Sequence, residues 1–103
     1  SAVFASAAIN ADASIGRGVI INTGATVDHD CHLGDGVHIC PGAHLAGDVR
    51  LGHGTWIGIG ASLVQGVQIG AHAMIGAGAA VIGNIDAHAT AVGVPARVVR
   101  RDS

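Results

Sequence analysis

One hundred and three residues suffice for one small domain. Half of them are apolar, yet there is one Phe, one Trp and no Tyr, so any core must be built from many small aliphatic contacts. Five Arg against seven acidic residues, with a formal net charge of -2, leave no basic footprint for nucleic acid or a membrane surface. No apolar run approaches the roughly 20 residues of a membrane-spanning helix, and no secretory leader is visible. Cys31 and Cys40 do not form the framework of a secreted disulfide protein, so a reducing cytoplasm is the expected compartment.

Along the chain, every sixth residue from Val3 to Val81 is aliphatic, without a slip. The residue two positions earlier is compact: Ala, Ser, Cys, Thr or Val. Gly, Asn or Asp follows directly in nine of the fourteen repeats, which predicts corners there, with positive φ tolerated. A period of six fits neither a helical face nor an open amphipathic strand; it predicts a β-helix of hexapeptide repeats. Strand alternation sends the aliphatic residue and the small residue inward and the one between them outward. Three repeats close one triangular lap, so residues 18 apart stack about 4.8 Å apart. The solenoid is expected over residues 1–83, with an irregular closing segment and basic tail over 84–103. The repeat is already in register at Val3 and the chain opens with Ser1, which leads us to expect a further domain upstream.

The lap of 18 sorts outward residues into three columns. Ser14, His32, Arg50 and Gln68 make a polar face, with Arg17, Asp35 and His53 at its corners. Ile20, His38, Trp56 and Met74 make an apolar stripe. Thr26, His44, Ser62 and Ala80 make a face of small residues, flanked by the corner column His29, Gly47, Gln65 and Gly83. One charged face and two without formal charge suggest a homotrimer, the apolar face of each prism against the small-residue face of the next. The alternative is that Trp56 and Met74 are scattered exposed apolar residues.

The stretch TVDHDCHLGDGVHIC, residues 26–40, concentrates histidines, aspartates and both cysteines. His32, His38 and His44 are six apart, hence on three different faces, and one chain cannot converge them on a zinc ion. Cys31 is expected inside the core and Cys40 at a corner. His29, flanked by Asp28 and Asp30, stands at a corner with Gly47 one lap above. A neutral imidazole beside a carboxylate can take a proton near pH 7, and a glycine corner can offer a backbone N–H to an oxyanion. From spacing alone, catalysis and a merely exposed corner histidine both stay open.

The block INTGATVDHDCHLGDGVHICPGAHLAGDVRLG, followed by WIGIGASLVQGVQIG, IGAGAAVIG and VGVPARVV, resembles the acyltransferase domain of the sialic-acid and UDP-amino-sugar acetyltransferases, the NeuD/PglD-type hexapeptide-repeat transferases. The resemblance spans nearly the whole chain and implies a left-handed winding, where the generic crossover rule would favour a right-handed one. It implies acetyl-CoA as co-substrate, without a metal, and direct transfer to an amine or hydroxyl of an amino sugar. It gives His29 the role of general base and Asp30 that of orienting it. Asn22 and His38 correspond to residues that contact the acetyl group and substrate, and Gly47 to the backbone donor to the thioester carbonyl. Ile59 and Ala77 match positions lining the pantetheine groove, and the Gly93–Arg97 turn matches the closing segment near the coenzyme. Arg97, Arg100 and Arg101 are candidates to meet its phosphates. The departure from the family is the α/β domain that normally holds the sugar nucleotide, which has no counterpart here.

Two further readings compete. One is a catalytically incomplete or purely structural β-helix; an ice-binding version would want a Thr-rich face, and the outward columns hold only Thr26. The other is a metal hydrase with ligands from two subunits. The γ-class carbonic anhydrases, which share the hexapeptide fold, pair two histidines five positions apart, and no two histidines here have that spacing.

Overall fold

The computed structural model describes residues 2–3, 7–10 and 12–102. Its two-residue strands run from β1 (Ala2–Val3) to β14 (Ala80–Val81), one every six residues. Partners are parallel and 18 apart, as in Ile20↔His38 and Thr26↔His44. Three parallel ladders result, one for each face of a triangular prism. Among the described residues no helix is long and apolar enough to cross a membrane.

The inward positions form one continuous core. Ile21, Val27, Ile39, Ile57, Ile75 and Val81 are all fully buried, with compact Val19, Ala25, Cys31, Val37 and Ala43 between them. The buried ladder is shorter than the repeat: Val3 is 50% and Ile9 36% exposed, because no described lap lies beneath them. Among the described residues Thr55 is the buried polar side chain, and its Oγ1 donates to the carbonyls of Gly52 at 2.7 Å and Gly70 at 3.2 Å. That satisfies a hydroxyl which would otherwise be costly to bury.

The corners correct the expectation from sequence. From Ile9 to Ile75 positive φ falls three residues after the aliphatic residue, on Gly24, Asp30, Gly42 and Asp48 among others, and not on the residue that follows it directly. Glycine follows directly for a different reason. A Cβ on Gly58 would lie 2.6 Å from the Ala77 nitrogen of the next lap, so backbones pack there too closely for any side chain.

The closing segment is also more regular than expected. The 18-residue spacing drops to 16 beyond Val81, as Ile69↔Ile85 and Met74↔Thr90 show. β15 (Ala89–Val92) then adds a parallel rung to the apolar face, and β16 (Arg97–Arg101) folds back antiparallel on it. The tail is thereby held by a strand ladder, and Arg100 and Arg101 pair with Asp102 and Asp86 at 3.0 Å and 3.6 Å.

Candidate active site

The His29 corner joins β5 (Thr26–Val27) to β6 (His32–Leu33). Val27 and Cys31 are fully buried and pin its two ends; the Cys31 thiol also donates to the Ala46 carbonyl at 3.1 Å. Asp28, His29 and Asp30 are thereby thrust outward. Asp30 is left-handed, φ 60°, a conformation Asp tolerates better than most residues, and its carboxylate lies 3.1 Å from His29 Nδ1. An ionised carboxylate can only accept, so Nδ1 carries the proton and Nε2 is left basic.

Asp28 braces the other side. Its Oδ1 accepts from the His29 amide at 2.8 Å and from Asn10 Nδ2 at 3.0 Å. These bonds, the His29 amide foremost, hold the Asp28 carboxyl below its ordinary range. His29 is held above its ordinary value, first by the bond to Asp30, then by the charge on Asp28, with Asp48 adding a little and desolvation opposing. Asn10 and Asp48 were not singled out in the sequence, although Asn10 stands 18 residues before Asp28 and the lap length pairs them.

Gly47 lies against the imidazole from one lap above. A Cβ there would sit 2.7 Å from His29 Cε1 and 2.8 Å from Nε2, so the ring occupies space that any other residue would claim. Gly47 is buried. Its carbonyl accepts from Gly66 at 3.1 Å, while its N–H makes no bond among the described residues.

The other candidates gather elsewhere. His38 of β7 (His38–Ile39) stacks on Trp56 of β10 (Trp56–Ile57), ring centroids 4.1 Å apart and planes at 29°. Asn22 lies at the corner beside them: its N–H donates to the Ile39 carbonyl at 2.9 Å, and its Oδ1 accepts from the Thr23 amide at 2.9 Å. Ile59 and Ala77 line one pocket of about 280 Å³ together with Cys40, Trp56 and Met74. Cys40 is buried in that wall, 5% exposed, and both cysteine thiols are pushed up by desolvation. Arg97 pairs with Val92, one lap above the same corner, and forms no ion pair among the described residues.

Within one chain the candidates therefore occupy two edges of the prism. His29, Asp30 and Gly47 share the corner after the small-residue face. Asn22, Ile59, Ala77 and Arg97 share the corner after the apolar face, next to His38. The small-residue face separates the two groups. There the His44 ring bonds Thr26 Oγ1 at 2.7 Å. His53 and His72, at other corners, have partners of their own: His53 Nδ1 accepts from the Asp35 amide at 2.8 Å, and His72 stacks on His88. A larger concavity of about 630 Å³ on the polar face, with His32, Arg50, His53 and Gln68 in its lining, contains none of the candidates. Among the described residues no three His, Cys or Asp side chains form a group able to hold a metal ion.

The bacterial transferase hexapeptide (six repeats) family matches residues 12–47 and 48–83. The chain belongs to that family, and its solenoid is a left-handed parallel β-helix. Among solved structures it is similar to a perosamine N-acetyltransferase from Caulobacter crescentus in complex with CoA and GDP-perosamine, at 39% identity and TM-score 0.88, covering 96% of this chain and 53% of that one. It is similar to the acetyltransferase domain of PglB from Neisseria gonorrhoeae in complex with acetyl coenzyme A, at 37% identity and TM-score 0.85, covering 94% and 56%. It is also similar to the serine acetyltransferase of Neisseria gonorrhoeae, at 32% identity and TM-score 0.88, covering 95% and 41%. The chain thus spans about half the length of these proteins. No curated protein matches it.

Proposed function

We propose that this chain is the catalytic domain of an acetyl-CoA-dependent acetyltransferase whose acceptor is an amine or hydroxyl of an amino sugar, free or nucleotide-linked. The observation that carries the reading is the His29 imidazole, bonded at Nδ1 to Asp30 and laid over a glycine one lap above. The similar structures with CoA or acetyl coenzyme A bound support it.

In this reading His29 Nε2 takes the proton of the acceptor as its nitrogen or oxygen attacks the thioester carbonyl. The new C–N or C–O bond forms, the C–S bond breaks, and the coenzyme thiolate leaves with the proton from the imidazolium. Asp30 holds the ring and supports its transient charge. The Gly47 N–H donates to the developing oxyanion. Neither cysteine takes part, since burial suppresses both thiolates.

The coenzyme lies against the pocket of Ile59 and Ala77, with Arg97 toward its phosphates, and Asn22 and His38 meet the acetyl group and acceptor. Because that pocket and His29 sit on different edges of one prism, the working site draws on two chains, as a cyclic homotrimer would arrange. Calorimetric titration with acetyl-CoA and a turnover assay test the reading. Acetyl-CoA is expected to bind, amino sugars to be acetylated in preference to serine, and His29→Ala to lower turnover about 10²–10⁴-fold. Absence of acetyl-CoA binding would favour a structural solenoid, and preferred acetylation of serine would reject the amino-sugar acceptor.

A further inference from the structure

The chain contains a single tryptophan, and its surroundings give it a task beyond filling a face. Trp56 sits between His38 and Met74 in the outward column of the apolar face, in register with both. One side of the indole meets the His38 ring at 4.1 Å; the residue also lines the pocket of Ile59, Met74 and Ala77. His29, His44 and His53 each have a ring nitrogen held by a hydrogen bond. No such bond fixes His38 among the described residues, so the stack is what restrains its ring. Parallel strands space such neighbours at about 4.8 Å, a distance that two flat rings fill. An aliphatic residue at position 56 would leave the imidazole free to turn.

We propose that Trp56 is a positioning residue: it sets the plane of the His38 ring and carries to it the presence of a ligand in the adjoining pocket. The substrate side of this rests on the acetyltransferase reading, in which His38 meets the acceptor. The ring pair itself does not depend on that reading.

Intrinsic fluorescence reads the pair directly, since one tryptophan supplies the emission. A ring stacked on an indole alters its emission, and His38→Gln removes that ring. The emission intensity and maximum are therefore expected to change in folded His38→Gln, as the indole loses the ring stacked on it. Coenzyme A is expected to shift the emission maximum. In kinetics, Trp56→Ala is expected to raise the acceptor KM roughly three- to tenfold, and Trp56→Phe, which keeps a flat ring, to stay near wild type. Circular dichroism checks that each variant folds; if Trp56→Ala does not, the Phe and Gln variants decide. Emission unaltered in folded His38→Gln, or a wild-type KM in folded Trp56→Ala, would overturn the proposal. Failure of coenzyme A to bind, with emission altered in His38→Gln, would reject the acetyltransferase reading and the ligand half of the proposal while the ring pair stands.

Discussion

The imidazole of His29 lies across Gly47, filling the volume that a side chain one lap above would occupy. The packing is local and one-sided: Gly47 is not among the positive-φ residues, so its backbone suits alanine while its surroundings do not. Gly47→Ala is accordingly expected to fold and to displace the ring. Misplacement of a catalytic group by about 1 Å can cost some 10²-fold in rate, so turnover is expected to drop roughly 10–100-fold with the thermal midpoint little changed. A variant with normal turnover would mean that the ring position seen here is not the working one.

Asp30 governs the pH at which His29 becomes a base. Its bond is the first cause of the raised imidazole value; in the acetyltransferase reading the neutral ring is the active form, so activity is expected to be lost as pH falls through that value. Asp30→Asn removes the charge and is expected to move the acid limb of kcat/KM to lower pH, with a lower plateau. The pH–rate profile decides; an acid limb that stays put or moves up would contradict the assigned pairing.

Much of this arrangement is arithmetic on the sequence. A period of six with a lap of 18 identifies the core, the three faces, and Gly47 as the neighbour of His29. What the period did not reveal are orientations set by neighbours one lap away. The Asn10–Asp28 bond, the stacking of His38 on Trp56 and the ring of His29 over Gly47 depend on side-chain angles that spacing leaves open. Corner chemistry was misplaced for a related reason. Glycines after the aliphatic residue looked like positive-φ positions, whereas close approach of the next lap demands them. The β15–β16 hairpin escaped because residues 84–103 carry no six-residue period to read.

Stability is expected to follow the stacked aliphatic column. Ile57 is fully buried between Ile39 and Ile75, and Ile57→Ala is expected to cost about 2–5 kcal/mol, read from the shift in denaturant midpoint. A loss below about 1 kcal/mol would imply a core that collapses around the missing methyl groups.

The division of candidate residues between two edges of one prism makes the shared site the central claim, and complementation tests it most directly. His29→Ala removes the proposed base from one edge; Ala77→Trp fills the pocket on the other. Each variant alone is expected to be inactive. Co-expressed in equal amounts, chains carrying different lesions would meet with an intact His29 edge against an intact pocket at about one interface in four, from random pairing around a cyclic assembly. The predicted result is recovery of about a quarter of wild-type turnover. A mixture as inactive as its parts, in mixed assemblies that demonstrably contain both chains, would contradict a site built from two copies.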